Sequence, residues 1–405
     1  MKIYLASIVK SSIFKATALN QISVLTNIGL GIVLIPFIYN YFGVSGLAIY
    51  LELIALKAIV DIFTAALGGG IVRHIADGGG AAAFNASLKL FTSYAIIAVI
   101  VCYIYFTLTK QLGVDLILYF SAYVCLSLII QPFLQRATAC GYQQLGPVIR
   151  ISQNALYFVL LVLYIGLSEH KEIDKVFTIL AATSFFSLVL VVVVTRKISI
   201  NQEDSCDFTV KDFALSLSSY AIFAIFFSIC AQIEVLFLNK IIVAELFAVI
   251  IASWKIPNIL VQLLWRYCEV KGVALKVTRN SQQLSKSLPE RGLLVVSLIV
   301  ALSYYVMADF GYELWMGSEF NPSATLIAIF AIGIVPMTMN RLYTGYLQFT
   351  SYATILGWQY FTICIAKILY IVFMGSDWIY GSFVVWFVLE SIFCLINRKV
   401  ISKYI

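Results

Sequence analysis

The sequence predicts an all-α polytopic membrane protein, with about twelve transmembrane helices in two six-helix bundles. Three observations predict it. Hydrophobic residues make up 62% of the chain and charged residues only 12%, with mean hydropathy +0.97; a soluble domain carries about 25% charged residues. Apolar runs of about 20 residues, the length that crosses a bilayer, recur from one end of the chain to the other. Basic residues alternate between the gaps as they do between cytoplasmic and external loops.

In chain order the first six runs fall at 16–40, 46–67, 87–108, 114–135, 148–167 and 176–195. A polar stretch, Arg196 to Asp212, follows. The second six fall at 213–238, 241–264, 292–309, 322–342, 350–373 and 379–397. Backbone groups in lipid must be satisfied internally, so runs of this length are helices rather than strands. The first run is polar for a span, with Asn20, Gln21, Asn27 and a late Pro36. The second ends on Gly68, Gly69 and Gly70, and Gly78, Gly79 and Gly80 follow. These glycines read as a flexible turn with helix C-caps, since no G-x-x-x-x-G-K-[ST] makes them a phosphate cradle. Met1 to Ala16 is mixed, with Lys2, Lys10 and Lys15, unlike the apolar core of a signal peptide. Insertion is therefore expected to rely on the first span. The polar stretch divides the chain into six-helix bundles at 1–200 and 201–405, and many transporters are built from such repeats. Lys57 and Arg73 lie sixteen residues apart, as do Lys255 and Lys271, at matching places in the two halves.

Orientation follows from the basic residues. With the N-terminus inside, twenty Lys and Arg fall in inner segments, among them Lys89, Arg136, Arg150, Arg196, Arg266, Lys271, Arg341 and Arg398. Four fall outside: Lys110, Lys171, Lys175 and Lys240. The bias places both termini in the cytoplasm, with an even number of spans, and the expected location is the cell inner membrane. Topology thereby accounts for the net charge of +7, and no nucleic-acid partner is expected. The eight cysteines show no C-x-x-C, and Cys102, Cys125, Cys230, Cys364 and Cys394 sit inside apolar runs. They read as buried thiols rather than metal ligands or disulfides. His74 and His170, the only histidines, fall in gaps on opposite sides of the membrane. Metal-ligand spacing, G-x-S-x-G and a long external loop are all missing, so neither an enzyme nor a cofactor is expected.

Three lysines and four carboxylates remain inside the spans: Lys57, Lys255, Lys367, Glu52, Asp61, Glu234 and Glu390. Each costs at least about 2.5–3.5 kcal/mol at the bilayer centre, and such groups usually face a bundle interior or a wet cavity. The lysines are candidate cations for binding an anionic cargo. The carboxylates are candidates for ion coupling or for orienting the lysines. Lys57 sits near mid-span with Asp61 at i+4, so the two can pair on one helix face; a structural ion pair is the alternative. Glu52, five residues earlier, points roughly 140° away. Lys255 stands beside Pro257, and Lys367 nearer the outer end of its span; both can instead snorkel to the surface. Glu234 has no basic residue at i±3 or i±4, which makes it the expected proton carrier. Glu390 is either proton-carrying or paired.

Several of these residues fall in patterns that resemble a known family. Tyr41-Phe-Gly43-Val-Ser-Gly46-Leu resembles the turn between the first two spans of polysaccharide flippases. Asp61, Leu67-Gly68 and Arg73-His-Ile-Ala76 resemble the end of their second span, though with wider spacing after the Asp. Gly141-Tyr-Gln143 resembles their turn before the fifth span. Gln232-Ile-Glu234 followed by Lys255 resembles their seventh and eighth spans, with Glu replacing the commoner Asp. The chain thus resembles Wzx-type O-antigen flippases of the multidrug/oligosaccharidyl-lipid/polysaccharide exporter superfamily. The resemblance implies an undecaprenyl-pyrophosphate-linked oligosaccharide as cargo, moved between leaflets by ion-coupled alternating access of the two six-helix bundles around a central cavity. It implies membrane lipid, a polysaccharide polymerase and a chain-length regulator as partners. Lysines in a low-dielectric cavity suit a pyrophosphate; Tyr39, Tyr50, Tyr220 and Trp358 can stack on sugars or simply pack. Two rivals are an O-antigen polymerase, which a long external loop would favour, and a drug or cation exporter, which an acidic cavity would favour.

Overall fold

The structure, a computed structural model, describes residues 2–75, 80–109, 113–170, 172–196, 198, 218–277, 290–347, 352–374 and 378–404. The described residues are helical apart from short turns, with no strand among them. α1 (Lys2–His74) is one element in two legs, broken at Gly43, where φ is 70° and ψ is −176°. Glycine adopts such a φ without the Cβ penalty that other residues meet. Pro36 lies inside the first leg without breaking it. The second leg runs on through Gly68, Gly69 and Gly70 to His74 instead of ending at them. The remaining helices are α2 (Gly80–Thr109), α3 (Val114–Ala139), α4 (Leu145–Leu167), α5 (Ile173–Arg196), α6 (Ser218–Leu238), α7 (Ala244–Val277), α8 (Glu290–Met316), α9 (Ala324–Leu347), α10 (Ala353–Met374) and α11 (Gly381–Tyr404). With α1 counted as two legs, the described residues form twelve helical legs, one for each expected run.

Nine of these elements are long and apolar enough to span a membrane, and α6 adds the shorter apolar run Ile222–Leu238. At 1.5 Å per residue the 23 residues of α4 reach about 35 Å, enough for a hydrocarbon core of about 30 Å. Large apolar side chains line the outside: on α8, Ile299, Leu302 and Val306 are 58%, 65% and 71% exposed. So much exposed apolar surface is untenable in water and ordinary in lipid. The chain is a multi-pass helical membrane protein.

Two compact units make up the chain. The first comprises Met1–Phe37 and Val60–Leu217. There α3 packs on α2 and α5, and α5 on α4. Phe106, Phe120 and Phe177 form an edge-to-face ladder across α2, α3 and α5, with centroids 5.9 and 5.8 Å apart. Ile71 and Ile75 at the end of α1 join Ala83, Phe84 and Phe91 of α2 in one apolar cluster. The second unit comprises Ile38–Ile59 and Ser218–Ile405. In it α6 packs along α10, and α9 serves as the hub, contacting α7, α8 and α11. Trp254 of α7 sits among Phe330 of α9 and Phe383, Trp386 and Phe387 of α11, at centroid distances of 5.1 to 5.7 Å. Glycine allows the helices to close on each other, as is usual in membrane bundles. A Cβ at Gly357 of α10 would lie 2.6 Å from the Ile222 side chain of α6.

Candidate functional site

Charge is distributed unequally. Six charged residues are buried among the described ones: Glu52, Lys57, Glu234, Arg341, Lys367 and Glu390. All six belong to the second unit. Buried polar side chains of the first unit are Ser23, Thr64, Ser87, Ser121, Ser127, Gln135, Thr183, Ser184, Ser187 and Thr195. Most are hydroxyls; Ser184 accepts from Gln153 of α4 at 2.9 Å, and several others bond their own helix carbonyls, as Ser87 does to Phe84 and Thr195 to Val191. Such groups need no partner helix, whereas a buried charge requires one.

The largest polar network centres on Glu390 of α11, whose side chain is fully buried. Trp386, one turn earlier on the same face, donates its indole N–H to Glu390 Oε1 at 3.1 Å. The Tyr360 hydroxyl donates to that oxygen at 3.1 Å, and Asn340 Nδ2 donates to Oε2. Arg341 adds its charge, with a nitrogen 3.7 Å from Oε1, and donates to the Tyr360 hydroxyl at 2.9 Å. Its guanidinium lies 4.1 Å above the Phe227 ring. Asn397 donates to Asn340 Oδ1 at 2.9 Å and exchanges hydrogen bonds with the Gln359 amide at 2.9 and 3.1 Å. Four helices, α6, α9, α10 and α11, therefore meet around one carboxylate. A buried ion pair repays its desolvation only with additional hydrogen bonds such as these.

The second pair is continuous with the first. Lys367 of α10 lies 2.7 Å from Glu234 Oε2 of α6, and both are buried. The ammonium also donates to the Cys230 carbonyl and sits 3.9 Å over the Trp386 ring. Trp386 thus joins the two networks, its edge on Glu390 and its face on Lys367. Glu234 Oε1 is buried without a hydrogen-bond partner.

These distances revise two expectations. Lys367 does not snorkel; a carboxylate on α6, with three helices between them in the chain, holds it inside. Glu234 does have a basic partner, and the lack of one at i±3 and i±4 is uninformative because the partner comes from α10. Glu52 forms a separate cluster with Lys240 Nζ at 3.0 Å and Asn239 Nδ2 at 2.5 Å, in the turn after α6. Lys57 is buried on the second leg of α1, and Lys255 is half-buried on α7, in the same unit. Asp61 is half-buried and belongs to the first unit, its carbonyl accepting from Thr64 Oγ1 at 2.5 Å. Of the aromatic candidates, Tyr39 meets Phe320 edge to face at 6.2 Å, Tyr50 is buried, and Trp358 is exposed against Phe361. The Tyr220 side chain lies outside the described residues.

Arg341 is the residue that sequence reasoning misplaced. It counts as an inner-surface cation by position, yet its side chain is 4% exposed. The signal was present: Asn340-Arg341 falls inside the run 322–342, and Trp386 precedes Glu390 by one turn. Among the described residues no group of three or more His, Cys, Asp or Glu could hold a metal ion.

The sequence matches no family model and no curated protein. Solved structures with the same fold do exist. An outward-facing multidrug resistance MATE family transporter of the MOP superfamily aligns with 98% of this chain and 96% of its own, at TM-score 0.65 and 14% identity. An inward-facing one aligns over 94% and 95%, at 0.64 and 15%. A MOP superfamily transporter from Pyrococcus furiosus, for which reverse polarity of the binding pocket suggests a different function, aligns over 97% and 94%, at 0.59 and 13%. The chain therefore has the MATE-like fold of two helical bundles over nearly its whole length.

Proposed function

We propose that the protein is an ion-coupled flippase for a polyprenyl-pyrophosphate-linked oligosaccharide, an O-antigen repeat unit, in a cell inner membrane. The observation that carries this reading is the gathering of basic side chains inside the second unit. Glu52, Glu234 and Glu390 each have a cation of their own, in Lys240, Lys367 and Arg341. Lys57 and Lys255 are two further positive charges inside the same unit, on the second leg of α1 and on α7. Lysines inside a bundle suit an anionic headgroup and disfavour a cationic drug, because charges act strongly where water is scarce. Pocket polarity is also the ground on which a different function is suggested for the Pyrococcus furiosus neighbour. Lysine binds phosphate as a point charge, which tolerates a headgroup that moves during transport. The transporter fold across the chain favours transport over glycan polymerisation.

The test is surface glycan in cells lacking their own flippase. Lys57→Ala and Lys255→Ala should each reduce surface polysaccharide at unchanged protein level, and Lys→Arg should retain more than Lys→Ala. Full surface glycan from the double alanine variant would sink the assignment of these lysines. The neighbours named as multidrug transporters support a second reading, drug export. Ethidium efflux by proteoliposomes separates the two: efflux that persists in the double alanine variant favours the drug exporter.

A further inference from the structure

We propose that the Lys367 ammonium is a built-in counter-cation filling a monovalent-cation seat made by Glu234 and the Cys230 carbonyl, so that the native protein binds neither sodium nor potassium there. Cys230 and Glu234 are one turn apart on α6, where the carbonyl of one residue and the side chain of the fourth residue on converge on the same face. Into that convergence α10 inserts Lys367, its ammonium 2.7 Å from Glu234 Oε2 and bonded to the Cys230 carbonyl. The Trp386 ring closes the third side at 3.9 Å. A carboxylate, a backbone carbonyl and an aromatic face are the surroundings that also satisfy a hard or quaternary cation. The ammonium is compact and strongly charged, so it substitutes for a small ion where a guanidinium would not.

A second observation points to a seat rather than an ordinary ion pair. Glu234 Oε1 is buried and without a hydrogen-bond partner. Buried carboxylate oxygens in a purely structural pair are normally satisfied, as both oxygens of Glu390 are. The tether keeps α10 in place as well: Cys364, one turn before Lys367, donates its thiol to the Phe226 carbonyl of α6 at 3.4 Å. Removing the three methylenes beyond Cβ and the ammonium of Lys367 would leave Glu234 negative, with room beside it for an ion.

For its consequence, that sodium or potassium does not drive transport through Glu234, this inference rests on the proposed ion-coupled function. The cation measurement itself needs no cargo, so the two can fail separately. Full-length protein in detergent is unfolded thermally in sodium, potassium or N-methylglucamine chloride at equal ionic strength. The wild type should unfold at one temperature in all three. Lys367→Ala should be stabilised by sodium or potassium over N-methylglucamine, each tenfold rise above the dissociation constant multiplying its folded-to-unfolded ratio about tenfold. Lys367→Ala/Glu234→Gln should lose that response. A folded Lys367→Ala indifferent to the cation would overturn the proposal. Should Lys367→Ala not fold, radiolabelled sodium and rubidium binding to wild type and Glu234→Gln decides: equal background binding is expected, and Glu234-dependent binding by the wild type overturns it.

Discussion

At Glu390 and Arg341 the fold depends on two side chains that lipid would reject singly. Breaking a buried pair by removing one partner costs about 3–5 kcal/mol, because a charge is left uncompensated, while replacing both partners with apolar groups is often neutral. Arg341→Ala should therefore lower the thermal midpoint markedly, and Arg341→Met/Glu390→Leu should recover much of the loss. The hydrogen bonds that Tyr360, Asn340 and Trp386 give to Glu390 moderate the recovery, since the double variant leaves those donors unsatisfied. Equal midpoints for Arg341→Ala and wild type, measured in detergent, would show that the pair contributes nothing to stability. Lys367 and Glu234 follow the same logic with fewer hydrogen bonds.

Helix crossings depend on what a side chain would displace. At Gly357 a methyl group would meet Ile222 at 2.6 Å and the Phe223 backbone nitrogen at 3.0 Å, where α6 and α10 pack most closely. Backbone cannot rotate aside, so Gly357→Ala should destabilise by about 1–3 kcal/mol, the usual cost of overpacking. At Gly146 and Gly166 of α4 an added methyl group would have nothing within 4 Å of it. Gly166→Ala should be neutral or stabilising by up to about 1 kcal/mol, through helix propensity alone. Thermal unfolding of the two variants side by side gives the comparison; loss of stability at Gly166 matching that at Gly357 would rule out the crossing as the cause. Gly43 belongs to another class, since its φ of 70° rather than its surroundings demands glycine. Gly43→Val should cost about 1–3 kcal/mol through backbone strain.

For the whole molecule, the twelve helical legs and the bias of basic residues predict one topology. Both termini and the segments 196–212 and 266–291 should be cytoplasmic, and 168–175 and 310–321 external. Alkaline phosphatase fusions should be active at the external segments and fluorescent-protein fusions bright at the cytoplasmic ones. A phosphatase-active C-terminus beside a cytoplasmic N-terminus would exclude an even number of crossings. The two units also divide their chemistry, with the buried charges in one and mostly buried hydroxyls in the other. Intramembrane charge is expensive and is retained where it serves transport or assembly. Variants of Glu234, Lys367, Arg341 and Glu390 should accordingly affect stability and transport together, more than substitutions at Ser187 or Thr195.

Fold class and the placing of the helices were legible in the residue order because each rests on local physics. A run of about 20 apolar residues must be a helix in lipid wherever it lies in the chain. The break at Gly43 was legible too, as the turn of a resembled motif, while Gly68 to Gly70 misled because glycine permits a break without requiring one. Lys57, Lys255, Lys367, Glu52, Asp61, Glu234 and Glu390 stood out as candidates, since a charge in an apolar run is costly whatever its partner. Their pairings were not legible. Glu234 and Lys367 are 133 residues apart, as are no neighbours on a helix face, and Arg341 meets Glu390 from a different helix. The period of a helix reveals contacts at three and four residues and is silent on contacts between helices. Packing of α6 on α10 and of α9 on α11 turned Lys367 from a surface lysine into a buried one, because desolvation and partner geometry exist only once the helices have met.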